Sequence, residues 1–461
     1  MWSPISQPVR VGHPDRRTAG QPCALVDWGK HVTHRELELL AIGAGPSNLA
    51  LAVAIEELAP DDLARGTLVV ERAENVCWQR GMLLPTAQSQ VSFLKDLVTL
   101  RNPRSRFSFL NYLHEVGRLN DFVNMGSVRA YRLETSDYLQ WVAGSLTRVR
   151  LECSRQCAAV EPVRADDGTL TGWLTRFADG STVASRYLVL GVGRDPYVPP
   201  ALRCLPARRL IHSTQYLRRI AELPKDRPYR VVVVGGAQSA AEMFDAVQHD
   251  LPGCRRTMVM RSIALKSYEE SRFVNELFYP SFVDEFYHAS PQAREQILRE
   301  MHTSNYSGLS ESTLDSIYRQ VYLDRMTGKD QLRILTMVDV TAAREEAGEA
   351  VLELTDRRSG EVEELRCDVV LLGTGFQRRM PALVRDLADA LGLAGVRADR
   401  GYRLRVDGPA TGACYLQGVN EATHGMADSL LSVLAPRAAE IVHDVLSVRR
   451  AAPVPAQSTV E

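Results

Sequence analysis

Apolar runs that stop abruptly at glycine set the rhythm of this chain. Leu37–Ile42 is such a run and reads as a parallel strand buried on both faces. It enters Gly43-Ala-Gly45-Pro-Ser-Asn48, after which the pattern predicts a helix over Pro46–Leu58. Thr67–Val70 predicts the next strand, ending at Glu71. The order restarts at Arg230–Val234, turns through Gly235-Gly236-Ala237-Gln238-Ser239-Ala240, and reaches a second strand at Thr257–Arg261. Between the two units, YLVLGVGRDPYVPP from Tyr187 reads as a strand and a Pro-rich turn, suited to a domain crossing. Helical periodicity marks residues 290–330, Asp368–Phe376 reads as another buried strand, and Met426–Val448 predicts a closing helix.

A glycine turn between a strand and a helix is a seat for a nucleotide phosphate at the helix N-terminus. Two of them predict an α/β fold with two Rossmann-like dinucleotide-binding domains, beside which the periodic residues 290–330 make a small, mainly helical portion. In the first turn Gly43 permits the tight bend and Gly45 lets the backbone approach a pyrophosphate, with Asn48 in place of the third glycine. Glu71 then suits a ribose diol, although it lies further on than the usual ~20 residues. In the second turn Ala237 replaces the middle glycine. Its next strand ends in Arg261 instead of an acid, which suits the 2′-phosphate of NADP. The alternative for Arg261 is a solvated arginine at a strand end.

Composition narrows the class. At 461 residues the chain suits two or three domains, and 45% hydrophobic with 24% charged residues is ordinary for a globular enzyme. Fifty-five basic residues balance 56 acidic ones, so no nucleic acid or membrane surface is expected as a partner. No signal peptide and no membrane span is read, and the eight scattered cysteines suit a reducing, cytoplasmic setting. No His/Cys/Asp spacing points to a metal. A dithiol reductase would need a close cysteine pair just after the first unit. The only close pair, Cys153 and Cys157, lies far downstream and reads as structural.

Further segments carry a family resemblance. Trp78-Gln-Arg-Gly81-Met82, Gln90–Leu113 (QVSFLKDLVTLRNPRSRFSFLNYL), His212–Tyr216, Phe273-Val-Asn275-Glu276, Ser304–Ser307 and Thr423–Ser432 together resemble the N-hydroxylating flavin monooxygenases, the ornithine and lysine N-monooxygenases. The likeness spans about Leu37 to Val448 and is closer to the ornithine enzymes of siderophore biosynthesis. It implies FAD and NADPH as cofactors, dioxygen as co-substrate, and a C4a-hydroperoxyflavin that gives N5-hydroxyornithine from L-ornithine. The cofactor carries that chemistry, so no side chain is expected to act as acid or base.

Residue by residue, the resemblance implies that Lys95 pairs with the substrate α-carboxylate and that Asn275 contacts the amino-acid head. Asn305 would orient the amine, with Ser429 nearby. A bridge from Lys95 to Asp96 and turn-capping roles for the two asparagines are the alternatives. Gly43, Gly45, Pro46, Asn48, Glu71, Trp78, Gln90, Met426 and Ser429 are expected at FAD. Gly235, Gln238, Ser239, Arg261 and Arg132 are expected at NADPH. His424 reads as a hydrogen-bonded residue and not as a base. The expected domains are a flexible extension over 1–36, a discontinuous FAD domain over 37–205 and 366–450, and an NADPH domain over 206–365. The last includes a helical substrate-binding segment at about 265–330, and 451–461 forms a frayed tail. A homo-oligomer, a tetramer in the family, is implied. Gln79-Arg80, Ser89, Glu269–Arg272 and Met426-Ala427 depart from the family pattern. They leave open L-lysine or another diamine as substrate, and a flavoprotein oxidase or sensor that hydroxylates nothing.

Overall fold

The computed structural model describes residues 36–269 and 271–451, without the side chains of residues 303–305. The expected extension and tail therefore lie outside the described residues, except for Glu36 and Ala451.

The first sheet is built on the expected strand, observed as Glu36–Ile42. It pairs in parallel with Thr67–Val70 on one side and Thr182–Leu190 on the other. Arg150–Glu152 extends one edge in parallel. On its other side the long strand Thr182–Leu190 serves two further partners. Its first half pairs antiparallel with Leu170–Phe177, and its second half pairs in parallel with Ala413–Leu416. The helix Pro46–Leu58 is buried without interruption from Asn48 to Glu56. Its LALAVAI core is apolar all round, and small alanines let neighbours approach from every side. The closing helix Leu434–Ala451 packs on it through Leu434, Ala438, Ile441, Val442 and Val445.

The second sheet is fully parallel, in the order Leu332–Thr336, Arg255–Met260, Arg230–Val234, Val369–Leu372, Leu210–His212. This corrects the expected boundary at residue 366. The apolar run from Asp368 does not reopen the first domain, because Val369–Leu372 is wedged between Arg230–Val234 and Leu210–His212. Periodicity shows that a strand is buried, not which sheet receives it. An isolated bridge from Phe376 to Pro196 marks where the chain passes back. An antiparallel meander, Val338–Glu346, Glu349–Asp356 and Val362–Cys367, covers one face of this sheet. Its Ala350, Leu352 and Leu354 pack against Val232 and Val370. Four helices, Arg272–Glu276, Phe282–His288, Pro291–Tyr306 and Glu311–Thr327, fill the segment expected to be helical.

Candidate active site

Both βα turns lie at the carboxyl ends of their strands, where open parallel sheets receive ligands. Gly43 has φ +94°, and a Cβ there would lie 2.7 Å from the Gly191 carbonyl oxygen. Around Gly45 the reverse holds, since a Cβ would meet nothing within 4 Å. No side chain caps the helix that begins at Pro46, so its first N–H groups are left for an external acceptor. Glu71 braces the loop by accepting from Ala44 N at 2.9 Å and Ala73 N at 3.0 Å. Its carboxylate keeps further lone pairs for a diol.

Asn48 is a correction. It is fully buried, its Nδ2 donates to the Ile42 and Gly43 carbonyls at 3.0 and 2.8 Å, and its Oδ1 accepts from Gln417 at 2.7 Å. It shapes the turn from behind and presents no surface to a ligand. The amide fits where the third glycine is usual because Gly191 makes room for it.

At the second turn Gly235 has φ +137°, and a Cβ there would strike the Gly373 carbonyl. Gln238 and Arg132, both expected at NADPH, are buried and committed elsewhere. Gln238 donates to Glu242 at 2.8 Å and Thr313 at 3.0 Å, and accepts from Ser310 N at 2.9 Å. Arg132 donates to both Glu242 oxygens, at 2.6 and 2.8 Å. These two residues instead join the helix Arg132–Ser145 to the helix Gln238–Asp250 and the segment after Leu309. Ser239 is half-buried at the uncapped start of the second helix, and Arg261 is exposed at the end of its strand.

The candidate substrate residues come together around the closing segment. Lys95 is half-buried, and its Nζ donates to Ser432 Oγ at 3.0 Å. Burial pulls its pKa below the usual lysine value. Asp96 is not its partner, since its carboxylate accepts from the Val98, Thr99 and Phe109 N–H groups and the Thr99 hydroxyl. Lys95, Pro46, Trp78 and Ser89 line one cleft, which joins the lysine to the first helix N-terminus. Gln90 Oε1 is buried with no hydrogen-bond partner among the described residues. That is uncommon for a buried polar atom and fits a residue whose partner is a bound group.

Ser429 is exposed, with its Oγ 3.5 Å from the Tyr306 hydroxyl. Asn305 closes the helix Pro291–Tyr306, and its side chain lies outside the described residues. Asn275 is exposed on the helix Arg272–Glu276. Phe278, just beyond it, packs with Ala427 and Val433 and so ties that helix to the closing segment. Met426 is buried, three residues before the exposed Ser429. His424 bonds to Thr423 Oγ1 at 2.8 Å and to the Arg400 carbonyl at 3.3 Å, and stacks on Tyr402 at 4.2 Å. Burial lowers its pKa. The contacts made by Ser432 and Tyr306 had no signal beyond their place in the quoted segments. Among the described residues no group of His, Cys, Asp or Glu could hold a metal ion. No helix among them is long and apolar enough to cross a membrane.

The open approach at Gly45, the uncapped helix and the unsatisfied Gln90 fit a dinucleotide on the first turn. The uncapped second helix beside an exposed Arg261 fits a nucleotide bearing an extra phosphate. Two such seats, the first opening on a cleft that a lysine lines, define a two-dinucleotide oxidoreductase.

The chain belongs to the L-lysine 6-monooxygenase/L-ornithine 5-monooxygenase family, whose model matches residues 35–378. It is 37% identical to the L-ornithine N(5)-monooxygenase of Pseudomonas aeruginosa, over 88% of this chain and 92% of that protein. The L-ornithine N(5)-monooxygenase of Burkholderia cepacia is 40% identical, over 84% of this chain and 89% of its own. The solved structure of the Kutzneria ornithine N-hydroxylase with reduced FAD, NADP+ and L-ornithine superposes with a TM-score of 0.83 at 31% identity. That match covers 90% of this chain and 99% of the other.

Proposed function

We propose that this enzyme hydroxylates the side-chain amine of L-ornithine with FAD, NADPH and dioxygen. The product, N5-hydroxyornithine, would serve a hydroxamate siderophore or a related natural product. The observation that carries this reading is the Lys95 ammonium, half-buried and held by neutral Ser432, in a cleft that reaches the first helix N-terminus. A half-buried ammonium that pairs with no carboxylate among the described residues, Asp96 being engaged by backbone N–H groups and Thr99, favours an anionic ligand. The α-carboxylate of an amino acid supplies one. The names of the Pseudomonas and Burkholderia relatives support ornithine.

Bound FAD, once reduced by NADPH, supplies the activated oxygen. The protein's own work is to bind, orient and dry the amine. Gly43, Gly45, Pro46, Glu71, Trp78 and Gln90 would hold FAD, and Gly235, Ser239 and Arg261 would hold NADPH. Lys95 anchors one end of ornithine through a charge-assisted hydrogen bond. Asn275 meets the amino-acid head, while Ser429 and Asn305 receive the side-chain amine. A free alkylamine has a pKa near ~10.4, so a dry site with neutral acceptors is needed to hold it as the nucleophilic free base. Glu421, which neighbours Tyr306, is paired with Arg194 at 3.2 Å and adds no unpaired anion there.

The test is a panel of L-ornithine, L-lysine and 1,5-diaminopentane, scored for hydroxylated amine. Ornithine is expected to lead in kcat/KM by roughly tenfold or more, since one methylene is worth ~1–3 kcal/mol in an apolar slot. Preferred product from lysine or the diamine would replace ornithine as substrate. NADPH-driven peroxide with no hydroxylated amine would favour the oxidase. Tyr318, Tyr322 and Met326, 70%, 59% and 62% exposed along one helix face, support a homo-oligomer. A tetramer in the cytoplasm is the form we infer, checked by light scattering and fractionation.

A further inference from the structure

A buried polar network runs from the first βα turn to the segment that carries Ser429, and its hub is Arg437. This arginine stands on the closing helix among Leu434, Ala438 and Ile441. Its side chain and that of Asp428 are both 0% exposed and pair at 2.9 Å. The guanidinium also donates to the Asp428 carbonyl, to Gln417 Oε1 at 3.1 Å and to Ser47 Oγ at 2.9 Å. Each acceptor sits on a different element: the closing segment, the end of strand Ala413–Leu416, and the first turn of helix Pro46–Leu58. From Gln417 the chain of bonds continues through Asn48 to the Ile42 and Gly43 carbonyls. From Asp428 it continues to Asn420 N at 2.7 Å.

Stability alone does not account for such a pair, since a buried ion pair can often be replaced by apolar residues at no loss. Position does. Ser429 follows Asp428 directly, and Ser432, which holds Lys95, lies on the same segment. The other end of the network is the turn assigned to the flavin nucleotide. We propose that Arg437 is a positioning residue for hydroxylation. It fixes Ser429, Ser432 and through Ser432 the Lys95 ammonium in register with the βα turn that seats FAD. Arg437 touches neither substrate nor cofactor, being fully buried, and acts through Asp428, Gln417 and Ser47. Its planar fork reaches all three elements at once, which a lysine ammonium cannot do. The inference rests on the ornithine-hydroxylating reading of this site.

The test is Arg437→Lys, assayed as FAD-loaded enzyme. Hydroxyornithine formed per NADPH consumed is expected to fall roughly fivefold, with peroxide making up the difference. KM for ornithine should rise by a similar factor, while anaerobic flavin reduction by NADPH stays within about twofold. The product-to-NADPH ratio does not depend on how much protein folds, so a purely stabilising residue would leave it unmoved. An unchanged ratio and KM would overturn the proposal, as would slowed reduction in parallel with product loss. Should Arg437→Lys yield no flavin-bearing protein, the same ratio is read on Gln417→Met. That variant cuts the link to Asn48 and keeps the Arg437–Asp428 pair. A fall of roughly twofold is expected, and no fall would overturn the proposal. Wild-type enzyme in the same assay separates the two ideas, because absence of hydroxyornithine there would refute the reaction itself.

Discussion

The two βα turns share a plan and differ in what stands behind them. Behind the first, Glu71, Asn48, Gln417 and Arg437 hold the loop from within the core, and the helix it feeds is buried on every side. Behind the second, one face of the helix Gln238–Asp250 is buried through Ala240, Met243, Phe244 and Val247, and Arg261 stands in solvent. Less burial means cheaper local opening. On this account the first turn suits a resident flavin, and the second suits a nicotinamide nucleotide that comes and goes.

Glycine substitutions would strain that contrast most. Gly43→Ala drives a Cβ into the Gly191 carbonyl at a positive φ, adding about 1–3 kcal/mol of strain or more. Purified protein is expected to lose its flavin absorbance. Gly235→Ala makes the equivalent clash at the second turn, yet should keep flavin and lose reduction by NADPH. The contrast fails if both variants lose flavin alike. Gly45→Ala meets open space, so the fold should survive while flavin affinity drops roughly tenfold.

Smaller effects sharpen the division of labour. Lys95→Ala is expected to raise the ornithine KM about thirtyfold, near 2 kcal/mol, with anaerobic flavin reduction unaltered in stopped flow. Collapse of reduction instead would make Lys95 a cofactor residue. Arg261→Ala should weaken NADPH about tenfold and leave NADH unaffected, whereas equal losses would remove its phosphate role. The mildest expectation concerns pH. Burial lowers the pKa of His212 and His424, so the unfolded chain binds protons that the folded one refuses. Stability therefore falls as pH drops below about 6.5, and a Tm series across that window should slope downward toward acid. His424→Gln should flatten the slope. A level series for the wild type would contradict the burial argument.

Much of this was legible in the chain. The two strand–glycine–helix units stand out because a buried parallel strand and the turn that follows leave strong local patterns. The helices within residues 290–330 show through their periodicity. Lys95 is visible as a charge within an apolar stretch. What stayed hidden depends on partners distant in sequence. Nothing near Arg132 or Gln238 announces that Glu242 takes both of them, and nothing in DVVLLGTGF tells which sheet it enters. Asn48 looks like a ligand contact until Gln417 is seen to occupy it. Arg437 left one faint sign, a cation on the otherwise apolar, buried face of its helix.

The central claim is that oxygen activated at the first turn is delivered to the amine of an ornithine anchored by Lys95. Reaction under isotopically heavy dioxygen, with mass spectrometry of the amino-acid product, tests this most directly. A single heavy oxygen on the side-chain nitrogen of ornithine is expected, formed in step with NADPH consumption. Ornithine recovered unchanged while NADPH is spent on heavy peroxide would contradict it.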